Sequence, residues 1–136
     1  LPWEGEEPPF GFGAGPDSWL PIPTEWRDLT VAAQNEDPGS MLALYREALR
    51  LRREHPALGD GELRWLPGPP GTLVFVRETA GGERRGLACA VNMSGRTARV
   101  RAAGTPLLAS GPVRTGGDHV ELPPDTALWW DVEEDG

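Results

Sequence analysis

The chain has a single cysteine, Cys89, no lysine, one isoleucine (Ile22) and two histidines. One cysteine excludes an internal disulfide and any thiolate metal cluster. Within Leu87-Ala88-Cys89-Ala90-Val91 it reads as a small buried hydrophobe. All 13 basic residues are arginine, which reads as a GC-rich coding bias rather than as chemistry. No apolar run approaches the ~18 residues of a membrane-spanning helix, and no charged, then apolar leader opens the sequence. A cytoplasmic, reducing setting is expected, with no membrane partner. The net charge of −8 speaks against a nucleic-acid partner, because phosphate neutralisation needs clustered basic side chains.

The 136 residues suit one ordinary domain or a small domain with an appendage. Eighteen glycines and 15 prolines imply many turns. Eight of the acidic residues lie before residue 38 (Glu4, Glu6, Glu7, Asp17, Glu25, Asp28, Glu36, Asp37) against one base, Arg27. The plain reading of that run is a solvated loop; a lining for a neutral polar ligand is the sharper one.

Residues 1–37 are punctuated by Pro8-Pro9, Gly11, Gly13, Gly15-Pro16, Pro21 and Pro23, which forbids a long helix or central strand. Trp3, Trp19, Trp26, Phe10 and Phe12 argue against pure disorder: this loop wants a surface to lie on. Asp37-Pro38 predicts a helix start, with Asp as cap and Pro in the first turn. Met41, Leu44, Tyr45, Ala48, Leu49 and Leu51 then recur at helical spacing. Arg50, Arg52, Arg53 and His55 are placed as cations for the helix C-terminus, and Pro56 with Gly59 ends it. From residue 60 the period changes to two. Strands are predicted at 63–66, 72–77, 86–92, 97–101, 106–109, 119–122 and 127–132, with turns at Pro69-Pro70-Gly71, Gly81-Gly82, Ser94-Gly95, Gly116-Gly117 and Pro123-Pro124. Short strands at this spacing predict an antiparallel sandwich, with residues 133–136 as an acidic tail.

The order Trp3-Glu4, Phe12-Gly13, Trp19-Leu20-Pro21, Leu29-Thr30-Val31-Ala32-Ala33-Gln34 and then the helical stretch Asp37 to Arg53 resembles the end of the barrel domain in α-glucosidases of the α-amylase superfamily, glycoside hydrolase family 13. The resemblance covers residues 1 to about 58 by motif and the remainder by architecture. It implies an α+β arrangement: a loop after the last strand of a (β/α)8 barrel at 1–37, the terminal barrel helix at 38–58, and a C-terminal antiparallel β-sandwich domain at 59–136. Trp3-Glu4 match the end of the family's Arg-x-Pro-x-x-Trp-Asp/Glu segment, which implies a substrate-binding role for both. Sugars stack C–H faces on aromatic rings while carboxylates accept their hydroxyl hydrogen bonds. The plainer reading is that Trp3 and Trp19 pin the loop to the barrel.

The motif's arginine, the nucleophile, the acid/base and the third acidic residue of the family have no counterpart among these residues. The expected catalytic set of this chain is therefore none, its metal set none, and no cofactor is implied. Its partners would be an α-gluco-oligosaccharide in the complete enzyme and the missing barrel. Retaining hydrolysis needs two carboxyl groups held about 5–5.5 Å apart. The acidic clusters Glu4-Glu6-Glu7 and Asp131-Glu133-Glu134-Asp135 sit in a Pro/Gly-rich loop and at a chain end, without the rigidity that requires. No Gly-x-Ser-x-Gly elbow accompanies His55 or His119, and Gly11-x-Gly13-x-Gly15 has no preceding strand. Of Trp129 and Trp130, adjacent in a predicted strand, one must face outward. The alternatives are a stand-alone carbohydrate-binding β-sandwich module and a non-catalytic interaction subunit of the same superfamily.

Overall fold

The computed structural model describes residues 1–13, 15, 18–79 and 85–133. The Gly81-Gly82 turn, Pro16, Asp17, and Glu134 with Asp135 of the terminal acidic cluster lie outside the described residues. Two compact units divide the chain, Leu1–Leu49 and Arg50–Gly136.

Among the described residues, the first unit is irregular up to a 3-10 turn, Thr24–Leu29, which runs into a short helix α1, Val31–Glu36. Thr30 makes the junction: its hydroxyl donates to the Arg27 carbonyl (3.1 Å) and accepts from the Ala33 amide (3.1 Å), capping α1. Helix α2 spans Met41–Glu54, so it begins three residues later than Asp37-Pro38 predicts. Asp37 spends its carboxylate on the Gly39 amide at 2.8 Å, forming a local turn. Ser40 takes the capping role: its oxygen accepts from the Ala43 amide at 3.2 Å and its hydroxyl donates to the Gln34 carbonyl at 2.7 Å. The Gln34 side chain accepts from the Leu42 amide at 3.1 Å, satisfying a second orphan donor. The face of α2 carrying Met41, Tyr45 and Leu49 is exposed, whereas Leu51, in the second unit, is buried.

The second unit is an antiparallel β-sandwich. Its strands are β1 (Leu63–Trp65), β2 (Thr72–Glu78), β3 (Arg85–Asn92), β4 (Ala98–Arg101), β5 (Thr105–Ala109), β6 (Arg114–Gly116), β7 (His119–Leu122) and β8 (Thr126–Glu133). One sheet has the order β1-β2-β3-β8-β5 and the other β4-β7-β6. The sequence reading places seven of these strands and misses β6. Arg-Thr-Gly has no apolar alternation, and β6 is a strand because Arg114 pairs with Glu121 and Gly116 with His119. Val74, Val76, Ala88, Ala90, Leu128 and Trp130 from the five-stranded sheet meet Ala98, Val100, Val120 and Leu122 from the other. Pro106 is tolerated because β5 is an edge strand, at a register shift against β8.

Asn92, at the end of β3, is fully buried. Its amide nitrogen lies 2.9 Å from each of three carbonyl oxygens, of Arg96, Leu122 and Pro123. Its oxygen accepts from the Ser94 amide (3.0 Å) and hydroxyl (2.7 Å). One side chain thus ties the β3–β4 turn to the turn between β7 and β8. Asn92→Asp replaces the amide donor that faces those carbonyls with an acceptor. Since a buried polar group left unsatisfied costs about 1–3 kcal/mol, we expect Asn92→Asp to lower unfolding free energy by roughly 3 kcal/mol or more. Ser94→Ala, which removes one neutral hydroxyl within bonding distance of Asn92 Oδ1 and the Arg96 carbonyl, is expected to cost about 1 kcal/mol. Urea unfolding of both variants measures the ratio.

Candidate functional site

Trp3 and Glu4 are brought together on one short, tightly bonded loop. Their two amides donate to the same acceptor, the Phe10 carbonyl, at 2.8 and 3.1 Å. The Phe10 amide donates to Glu7 O at 3.0 Å, and the Phe12 amide to Pro9 O at 3.0 Å. Phe10 takes a left-handed backbone (φ 51°) while its ring is 1% exposed. A bulky residue occupies that region only when its surroundings compel it. Gly11 continues the turn at φ 71°. On the other side, the Pro2 and Trp3 carbonyls accept from the Val31 and Ala32 amides at 3.1 and 2.9 Å. These are first-turn donors of α1 that the helix itself cannot satisfy. The Trp3 backbone is therefore fixed at both its N–H and its C=O.

The side chains remain available. Trp3 is 49% exposed and Glu4 is exposed. An aromatic face next to a carboxylate, both on pinned backbone, can stack on one side of a sugar ring and accept a hydroxyl hydrogen bond. Trp19 projects further, at 98% exposure, with Leu20 and Phe12 also exposed. Sequence reasoning saw Phe10 only as one aromatic among several. The signal for its role was the Pro-Pro-Phe-Gly run, a turn sequence carrying a large apolar side chain.

The other candidates resolve into structure. His55 caps the short 3-10 turn that follows α2, its Nδ1 accepting from the Ala57 amide at 3.2 Å. Its Nε2 lies 3.4 Å from Asp131 Oδ1. His119 binds Asp118 through Nδ1, and that hydrogen bond, with the nearby charge of His119 and Arg101, holds the Asp118 carboxyl below its usual range. Among the described residues no group of three or more His, Cys, Asp or Glu is placed to hold a metal. Trp130 is buried in the core and its neighbour Trp129 is half-buried on the opposite face. A cleft of about 280 Å³ at one end of the sandwich is bounded by Gly104, Pro106, Gly117, Leu128 and Trp130, without an ionisable group.

This is the anatomy of a capped helix followed by an eight-stranded antiparallel sandwich, with an aromatic–carboxylate pair on a rigid loop. No protein-family model matches the chain. The probable α-glucosidase of Rhizobium meliloti (strain 1021) is 35% identical over 97 residues, covering 71% of this chain and 17% of that protein. The amino acid transporter heavy chain SLC3A2 of Mus musculus is 34% identical over 85 residues, covering 62% of this chain and 16% of its own length. Among solved structures, the α-glucosyl transfer enzyme XgtA superposes with a TM-score of 0.73 at 28% identity, covering 96% of this chain and 24% of that one. The chain thus spans about a sixth of these curated relatives and about a quarter of that solved structure. It is the counterpart of the C-terminal portion of an α-glucosidase of glycoside hydrolase family 13, and the sandwich is that portion's C-terminal domain.

Cys89 carries no site chemistry. It is buried, and burial pushes its thiol up to about 11, an effect that a hydrogen bond with the Trp129 side chain only partly offsets. The folded pKa lies above that of the unfolded thiol, so this group favours the folded state below about pH 9 and progressively less as pH rises through about 11. We expect native protein at pH 8 to resist a disulfide-exchange reagent such as DTNB and to react with one equivalent once unfolded in urea. Rapid labelling of native protein at pH 8 contradicts the assignment.

Proposed function

We propose that this chain forms the C-terminal segment of an α-glucosidase-like glycoside hydrolase acting on α-linked gluco-oligosaccharides. Its own task is to pack against a (β/α)8 barrel and to shape one wall of the substrate entrance with Trp3 and Glu4. The reaction is retaining hydrolysis through a glycosyl-enzyme intermediate, with the two carboxylates of that chemistry supplied outside these 136 residues. A cytoplasmic setting belongs to the same proposal and agrees with one buried, unpaired thiol. No helix among the described residues is long and apolar enough to cross a membrane.

The observation that carries this reading is the exposed apolar surface of residues 1–49. Trp19, Leu20, Phe12, Met41, Tyr45 and Leu49 all lie open. Leaving several large side chains in water forgoes about 1.5–3 kcal/mol each, against a whole-domain stability of ~5–15 kcal/mol. Such a surface has a purpose when a barrel covers it. The match to a probable α-glucosidase supports the same reading.

A non-catalytic interaction subunit is the second reading, favoured by the likeness to a transporter heavy chain. A stand-alone carbohydrate-binding module is the third. It is favoured by Trp65, 62% exposed on β1 and in edge contact with Phe75 at 5.6 Å between ring centres. The isolated 136-residue chain is expected to show no turnover of an α-glucoside and no saturable quenching of tryptophan fluorescence by maltotriose. Turnover by pure material refutes the division of labour proposed here, and saturable quenching transfers the case to the binding module. An upstream barrel lacking its carboxylates favours the subunit.

A further inference from the structure

We infer that Phe10 and Gly11 are positioning residues that hold the Trp3 indole and the Glu4 carboxylate as one pre-set surface for a neutral hexose ring. This rests on the substrate-wall role proposed above for Trp3 and Glu4. The geometry is specific to that pair. One carbonyl, that of Phe10, receives both the Trp3 and the Glu4 amide. Phe10 makes those two bonds from a left-handed backbone, φ 51°, an uncommon conformation for a bulky residue, and its side chain is buried there. Gly11 has the complementary duty of leaving room. A methyl built on it would come 3.2 Å from Glu4 Cγ and 3.5 Å from Trp3 Cβ, at a φ of +71°. The stems of the two proposed sugar-contacting side chains therefore pass directly over a residue with no side chain of its own. The α1 amides lock Trp3 from the other side, through the bond from Ala32 to the Trp3 carbonyl.

A loop of ten residues without regular secondary structure is a poor platform unless its backbone is over-determined, because a hexose gains little from a ring that must be ordered on binding. Here the ordering is done in advance by hydrogen bonds that involve no atom of the Trp3 or Glu4 side chains. Phe10 and Gly11 touch no substrate in this arrangement. They act through the pair they orient.

The test uses the enzyme that carries this segment, assayed with maltotriose. Trp3→Ala is expected to raise KM about tenfold with kcat within about twofold of the parent, the signature of lost uniform binding. Phe10→Ala and Gly11→Ala are expected to follow the same split, each raising KM about fivefold or more, while Phe10→Leu, which keeps an apolar anchor, recovers most of the affinity. Hydrogen exchange at the Trp3 and Glu4 amides is read in parallel and should accelerate in Phe10→Ala and not in Trp3→Ala. If Trp3→Ala raises KM while Phe10→Ala and Gly11→Ala leave it unchanged, the positioning role is wrong and the substrate wall stands. If Trp3→Ala leaves KM unchanged, the wall itself is wrong. A fall in kcat equal to the fall in folded protein for Phe10→Ala and Gly11→Ala, at constant KM, reduces both residues to a purely structural part.

Discussion

The second unit depends on the antiparallel pairing of β3 with β8, which runs without interruption from Arg85 opposite Glu133 to Asn92 opposite Thr126. Because side chains alternate, that register decides every important placement around it. It turns Ala88 and Ala90 inward beside Leu128 and Trp130, so a small residue on one strand leaves space for a large one on the next. It puts Leu87 opposite Asp131, the carboxylate that meets His55. It brings Asn92 to the sheet end, where its amide reaches the carbonyls of Leu122 and Pro123. A slip of one residue would expose Leu128 and Trp130, invert the core and leave those carbonyls without a donor.

The first unit solves the opposite problem, order without a sheet. Its hydrogen bonds come from side-chain caps and from helix-end amides that need partners. Thr30 closes the 3-10 turn and opens α1, Ser40 and Gln34 open α2, and the first amides of α1 reach back to Pro2 and Trp3. Arg46 adds a bond from α2 to Asn35 at 2.6 Å. Each is a polar contact, so this unit reaches a defined backbone while keeping most of its aromatic side chains outside its interior. Phe10 is the exception, and the loop is arranged around it.

Elements set by neighbouring residues were legible in the sequence. The α2 stripe and the period-two strands of the sandwich follow from spacing alone, and the capping rule failed only in placing the cap at Asp37. Asp37 lost to Ser40 because its carboxylate finds the Gly39 amide first. What escaped were features made by distant partners. β6 exists through β7, and His55 takes its role from Asp131, 76 residues away. The site was legible only through family resemblance, since Trp3 and Glu4 carry no spacing that distinguishes them from other surface residues. The Phe10 carbonyl that joins them is a backbone atom, on which composition is silent.

The division between the two units bears on what a C-terminal segment contributes to an enzyme. Among the described residues the sandwich leaves no buried side-chain polar atom without a partner, and it encloses an apolar core of its own between its two sheets. Residues 1–49 are tied by backbone and capping hydrogen bonds but leave Trp19, Phe12, Met41 and Tyr45 in solvent. Hydrogen bonds fix shape without removing apolar area from water, so a surface of this kind gains its stabilisation from whatever covers it. On the role proposed above, a loop ordered before it is covered would present Trp3 and Glu4 in one orientation throughout, as a sugar with little binding energy to spend requires.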